Sequence, residues 1–215
     1  MKVHLVRHGV SEWNLIGRWQ GNADIPLSDQ GKCQAEITAE ELLYIAPNTS
    51  LLFCSDLKRA RETAEKIGKR FNLSPIVRED LRECNFSLWN GLTFEEVVEK
   101  YEKEFTLWSS NPHAKIEGIE SLTQLEKRAL TAFNEIYEIS TLRKATEVVI
   151  VGHGLWFRVL LSSLLGMPLV NHRCLEIENA SITTLEKREY RGWILHTLNY
   201  HHHLSQVKGG KCHNN

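Results

Sequence analysis

Five side chains in this sequence could together handle a phosphoryl group: Arg7, His8, Arg59, Glu83 and His153. Arg7-His8-Gly9 closes one apolar run, and Gly152-His153-Gly154 closes another. A phosphoryl group in transit spreads charge over its equatorial oxygens and needs fixed cations around them. Guanidinium forks match that geometry. A neutral imidazole is a competent nucleophile near pH 7, and phosphorylating it divides one hard displacement into two easier ones. A second, protonated imidazole would donate to the group being transferred. The last requirement is an acid for the leaving oxygen, later a base toward water. Glu83, in Leu81-Arg82-Glu83, is the best candidate. Singly, each residue has a plainer reading. A His at a strand end is usually structural. The glycines around His153 could mark a tight turn. Arg59 sits beside Lys58 and Arg61, and Glu83 is one of 27 acidic residues. All the plain readings would have to hold together.

These residues must be brought together by the elements that carry them. Val3-His4-Leu5-Val6, Leu51-Leu52-Phe53-Cys54 and Val148-Val149-Ile150-Val151 are near-continuous apolar runs, the pattern of buried parallel strands. Each is followed by a helical pattern. One helix is predicted from Ser28, as N-cap, to Ile45, and another over Asp56–Phe71 with Arg59 one turn in. Leu122, Leu125, Ala129, Phe133, Ile136 and Tyr137 form an apolar helical stripe. A further helix spans Leu155 to Leu165 and stops at Gly166-Met167-Pro168. Ser181–Glu186 and Trp193–Asn199 read as an antiparallel pair. The alternation predicts a three-layer α/β/α sandwich with a mostly parallel mixed sheet. Ligands bind beyond the carboxyl ends of such strands, where Arg7-His8, Ser55 with Arg59, and His153 all emerge. Helix N-termini after Ser55 and Gly154 would add oriented N–H donors.

Composition narrows the partners. The 215 residues, 42% hydrophobic, suit one compact domain. The net charge of -1 gives no field for a nucleic acid backbone or an anionic membrane. No stretch approaches the roughly 20 apolar residues of a membrane span, and the first apolar run is too short for a signal peptide. Five scattered cysteines without a CxxC read as thiols of a reducing cytoplasm. His201-His202-His203 reads as a solvated strand end, since three adjacent His cannot face one ion from an extended chain. Residues 1–204 are expected to form the domain, with 84–120 as an excursion over the site and 205–215 as a disordered tail.

The ordered set of motifs resembles the histidine phosphatase superfamily, also called the phosphoglycerate mutase-like family. The resemblance runs from about Lys2 to Asn199. It is carried by RHGVSEWN (Arg7–Asn14), QGNADIPLSDQGKCQA (Gln20–Ala35), SDLKRARETA (Ser55–Ala64), LRECNFSLWNGLT (Leu81–Thr93), GIES (Gly118–Ser121), VIVGHG (Val149–Gly154) and NAS (Asn179–Ser181). It implies His8 as the phosphorylated residue, with Arg7, Arg59 and His153 completing the phosphate pocket and Glu83 as proton donor. It implies Asn14, Gln20, Gly154 and Asn179 as substrate contacts, no metal and no cofactor. Ser11, Ser87, Asn90 and Ile119 depart from the usual Thr, Gly, Glu and Gly, and the last three bear on pocket shape.

Such families contain phosphatases and mutases. A mutase must retain a bisphosphate in a closed, cation-rich site. Residues 84–120 offer Lys100, Lys103 and Lys115 against Glu95, Glu96, Glu99, Glu102, Glu104, Glu117 and Glu120. That acidity favours a phosphatase acting on small phosphomonoesters, with phosphoserine, α-ribazole phosphate and sugar phosphates as candidates and phosphoserine slightly preferred. The alternatives are a phosphoglycerate mutase using 2,3-bisphosphoglycerate and a catalytically silent phosphate-binding module. The partner is a small phosphorylated metabolite, and a homodimer is left open. Phe86, Trp89, Phe105, Trp108 and His113 could line a leaving-group pocket or pack a core. Trp13 and Trp19 are placed closest to the substrate.

Overall fold

A computed structural model describes residues 1–206. Six strands form one sheet: β1 (Lys2–Arg7), β2 (Thr49–Ser55), β3 (Ile76–Arg78), β4 (Glu147–Gly152), β5 (Ile182–Arg188) and β6 (Gly192–Tyr200). Their order is β3-β2-β4-β1-β5-β6. The pairings β3–β2, β2–β4 and β4–β1 are parallel. The pairings β1–β5 and β5–β6 are antiparallel. The expected mixed, mostly parallel sheet is present.

Helices cover both faces, because the central strands are apolar on both sides. On one face Val6, Leu52, Cys54, Val149 and Val151 pack against α2 (Asp29–Ile45) and α3 (Lys58–Phe71). On the other, Leu5, Phe53, Val148 and Ile150 pack against α5 (Leu122–Leu142) and α6 (Gly154–Leu164). Five of the six predicted stripe residues are buried in that second core; Tyr137 is half-buried. Ser28 caps α2 as expected, its hydroxyl accepting from the Gly31 N–H. The predicted helix from Asp56 begins two residues later. Leu57 is extended, and Asp24 accepts the Lys58 N–H at 2.7 Å. Arg59 is therefore the second residue of α3 rather than one turn in.

Register sets the site. Arg7 pairs with Gly152 across β1 and β4, so His8 and His153 leave the sheet side by side. The short helix α1 (Glu12–Leu15), capped by Ser11, and α4 (Phe94–Ser110), capped by Thr93, complete the set. Helix α4 carries the excursion of residues 84–120 and bends at Tyr101.

Two expectations change here. His203 is half-buried, stacks on Tyr200 at 5.4 Å and has its Nε2 3.0 Å from Thr38 Oγ1, so it is not a solvated strand end. Cys54, Cys84 and Cys174 are free thiols, but Cys33 is held in a disulfide. Of the expected tail, Ser205 and Gln206 belong to a 3-10 turn, His202–Gln206, and the rest lies outside the described residues.

Candidate active site

A cavity of about 410 Å³ opens at the carboxyl end of the sheet. Arg7, His8, Asn14, Gln20, Arg59 and Glu83 all line it. Its aromatic wall is Trp19, Phe86, Phe105 and Trp108. The same rings pack edge to face, with Trp19 4.9 Å from Phe86 and Phe86 5.3 Å from Trp108. The excursion aromatics thus serve as core on one side and cavity wall on the other. Trp89 is wholly core, and His113 is exposed. Trp13 does not reach the cavity and instead packs by Gly91.

His8 is 3% exposed. Its Nδ1 is 2.7 Å from the Gly9 carbonyl, which can only accept, so Nδ1 carries the hydrogen. Arg59 donates Nε–H to His8 Nε2 at 3.2 Å, so Nε2 carries the lone pair. Burial, and then Arg59 and Arg7, hold His8 well below the usual imidazole range. The ring is a neutral base with its free electron pair on Nε2.

The loop that presents His8 is fixed from several sides. Thr63 Oγ1 accepts the Gly9 N–H at 3.2 Å, and Gln34 Oε1 accepts the Val10 N–H at 2.9 Å. A Cβ on Gly31 would lie 2.0 Å from the Val10 carbonyl oxygen, so only glycine lets α2 approach this closely.

His153 lies behind His8, with ring centroids 5.2 Å apart, and is fully buried. Burial first, then Arg59, His8 and Arg7, press it well below the imidazole range. The protonated second imidazole expected from sequence is therefore neutral here. Both its ring nitrogens, and Arg7 Nε, are buried without a hydrogen-bond partner among the described residues. Such an orphaned group costs about 1–3 kcal/mol.

Both arginine forks are partly engaged. Arg59 gives Nη1 to the Ala23 carbonyl at 2.7 Å and Nη2 to the Gly21 carbonyl at 2.8 Å. Arg7 gives Nη1 to the Ile177 carbonyl at 2.6 Å. Burial pushes Arg59 down to about 10 and lowers Arg7 as well.

Glu83 accepts backbone N–H groups from Cys84 at 2.9 Å, Trp156 at 3.0 Å and Leu155 at 3.1 Å. The helix terminus expected to face a phosphate is thus occupied by this carboxylate. At α3 the carboxylate of Asp24 does the same. Arg128 holds the Glu83 segment from behind, donating to the carbonyls of Asp80, Arg82 and Glu83 and pairing with Glu120.

His153, Gly154 and Asn179 do not line the cavity; His153 sits beneath His8. The space a Cβ would take at Gly154 is filled by Arg7, 3.3 Å away at Nε. Asn179 Nδ2 donates to the His8 carbonyl at 3.0 Å and to Asn14 Oδ1 at 3.3 Å, so it braces the loop instead. Ser87, Asn90 and Ile119 do not line the cavity either.

Sequence reasoning missed Arg18, Arg158, His172 and Arg173, all of which line the cavity. For Arg158 a signal existed, because it lies one helical turn beyond Leu155, another lining residue. None of the seven excursion glutamates faces the cavity, so their acidity says nothing about the charge of its ligand.

The model of the histidine phosphatase superfamily (branch 1) matches residues 3–201. Phosphoserine phosphatase 1 of Hydrogenobacter thermophilus is 36% identical over 207 residues, 96% of this chain and 95% of that protein. A probable phosphoglycerate mutase GpmB of Proteus mirabilis is 30% identical over 214 residues, 96% of each chain. Among solved structures, a mycobacterial glucosyl-3-phosphoglycerate phosphatase with VO3 superposes with a TM-score of 0.82 at 29% identity. That match covers 92% of this chain and 98% of the other.

Proposed function

The chain belongs to the histidine phosphatase superfamily, branch 1, and is a phosphoric monoester hydrolase; on that premise we propose that it works through a phosphohistidine formed on His8, without a metal. The observation that carries this reading is the set of buried, unsatisfied polar atoms beside the His8 lone pair: Arg7 Nε and both nitrogens of His153. A phosphoryl oxygen would give Arg7 Nε–H and the one N–H of neutral His153 the acceptor they lack.

His8 Nε2 attacks phosphorus in line as the ester P–O bond breaks. Glu83 gives its proton to the departing alkoxide oxygen. Arg7, Arg59 and His153 hold the equatorial oxygens. Water then attacks the phosphohistidine, Glu83 takes a proton from it, and the P–N bond breaks to release orthophosphate and neutral His8. The three N–H bonds to Glu83 occupy one or two lone pairs on each oxygen and leave room for the transferred proton. Asn14 and Gln20 contact the substrate, while Gly154 and Asn179 shape the pocket from behind.

Residues 84–120 act as a lid on a domain formed by residues 1–204. The substrate is a small phosphorylated metabolite of the cytoplasm, taken up by a single chain or by each chain of a homodimer. The named activities of the phosphoserine and glucosyl-3-phosphoglycerate phosphatases support a small substrate. No helix among the described residues is long and apolar enough to cross a membrane.

The test is turnover of p-nitrophenyl phosphate in excess EDTA, with acid-labile phosphate trapped on the protein by rapid quench. Wild type should release phosphate and carry the label, and His8→Ala should do neither. Loss of turnover on chelation, or label surviving in His8→Ala, would overturn the mechanism. Glu83→Gln should slow an alkyl phosphate far more than p-nitrophenyl phosphate, whose leaving group needs no proton.

A further inference from the structure

Among the described residues five arginines line the cavity, Arg7, Arg18, Arg59, Arg158 and Arg173, and Glu83 is the only carboxylate. A phosphate dianion held by Arg7 and Arg59 leaves positive charge over. Arg18 is directed outward, toward the Gly91 carbonyl and the Glu96 carboxylate. Arg158 and Arg173 remain, and both also line the neighbouring hollow, so they form the wall between the two spaces.

Among the described residues neither forms an ion pair, although Glu83, Glu176 and Glu178 line the same neighbouring hollow. The Arg158 carbonyl accepts from Ser162 Oγ, and its guanidinium feels Glu83 and Glu176 only at longer range. Arg173 donates only to the carbonyls of Val170 and Ser109. Between them His172 is 6% exposed, and its Nδ1 has no partner. Burial, and then Arg158 and Arg173, push His172 down to about 4, so it is neutral at pH 7. Arg158 is half-buried and Arg173 is exposed.

The geometry points to a second anion subsite at Arg158, His172 and Arg173, which takes a carboxylate on the leaving group while the phosphate lies at His8. This rests on the phosphatase reading and narrows it to phosphorylated carboxylic acids. A carboxylate fits the planar fork of Arg158 in a bidentate pair. One half-buried cation matches one negative charge. The second charge of another phosphate would be left to solvent-screened Arg173 and a neutral ring.

The test compares 3-phosphoglycerate with glycerol 3-phosphate, which differ only by CO₂⁻ against CH₂OH, with p-nitrophenyl phosphate as control. Wild type should prefer the carboxylate by ~10–10²-fold in kcat/KM, the size of a lost charged hydrogen-bond pair. Arg158→Gln should bring the ratio to within ~3-fold of unity, and Arg158→Lys should fall between. Arg173→Gln, on an exposed turn, should reduce the ratio less and serves if Arg158→Gln does not fold. A wild-type ratio near one, or an unchanged ratio in both Gln variants, overturns the subsite. Preference for glycerol 1,3-bisphosphate over 3-phosphoglycerate, abolished in Arg158→Gln, overturns the carboxylate in favour of a second phosphate. If wild type cannot turn over even p-nitrophenyl phosphate, the phosphatase reading falls and the subsite with it. If it does, only the subsite is at stake.

Discussion

Arg128 never touches the cavity, yet replacing it with Met should cost both stability and acid catalysis. Its guanidinium donates to the Asp80 carbonyl at 2.9 Å, Arg82 at 2.7 Å and Glu83 at 3.2 Å. The same group pairs with Glu120 at 2.8 Å. Trp156 Nε1 also donates to the Asp80 carbonyl, at 3.0 Å, tying this segment to α6. Met would fill most of the volume but leave three carbonyls short of a donor and Glu120 without its cation. Breaking a fully buried pair costs about 3–5 kcal/mol. Here the side chains are 24% and 15% exposed, so screening brings the expected loss to about 2–3 kcal/mol. For a chain of this size that lowers Tm by roughly 5–10 °C. The Glu83 carbonyl, unlike that of Asp80, would keep no other donor among the described residues, and a displacement of about 1 Å at a reacting group costs on the order of 10²-fold in rate. Urea unfolding reads the first effect. The second is read by kcat on an alkyl phosphate relative to p-nitrophenyl phosphate. Arg128→Lys should restore part of the stability, because one ammonium can reach Glu120 but cannot span three carbonyls. A Met variant within ~0.5 kcal/mol of wild type would refute the reasoning, as would one that unfolds more easily but loses both substrates equally.

Two further outcomes are expected. Gly31→Ala should destabilise by about 1–3 kcal/mol in urea and lower turnover. Its Cβ would meet the Val10 carbonyl at 2.0 Å and push the loop that presents His8. A fully active, fully stable Ala variant would contradict that close approach. His4 and His172 are each pushed down to about 4, mainly by burial. Between pH 6.5 and 4 the unfolded chain binds protons that these folded rings refuse, so stability falls as pH falls through that window. At pH 5 the loss is about 2 kcal/mol for each ring. Urea midpoints at pH 7 and pH 5 should show the drop, and His4→Gln should remove its share; an equal drop in that variant would assign it elsewhere.

The sheet was legible because β1, β2 and β4 are buried on both faces and must be apolar throughout. The convergence of His8, Arg59 and His153 followed from the rule for strand ends and from motif order. What stayed hidden depended on packing between distant segments. The three residues of β3 at the sheet edge are too few to show a period. Arg173 reaches the cavity through a 3-10 turn that nothing in its neighbourhood marks as functional. Gly154 and Asn179 were expected as substrate contacts, and neither lines the cavity. A motif shows that a residue is needed, not whether it faces the ligand or the side chain that does. The charge of the cavity was misjudged for a related reason: the glutamates of residues 84–120 do not line it, and the arginines come from β1, α3, α6, the loop after α1 and a 3-10 turn.

Burial links the two halves of the chemistry. The chain carries a net charge of -1, yet its cavity holds five arginines against one glutamate. In water those arginines would leave nearby imidazoles nearly unperturbed. Removed from solvent, His8 and His153 are held in their neutral forms first by burial itself and then by the same cations. His8 thereby keeps a free electron pair at pH 7, while Arg7 and Arg59 stay charged to meet the phosphoryl oxygens. A dianion entering this space reverses the field at His153. On the proposed mechanism, protonation of His153 would then follow phosphate into the site instead of preceding it. On that mechanism the nucleophile and the cations that would stabilise its transition state share one cause, and whatever lets water reach His8 weakens both together.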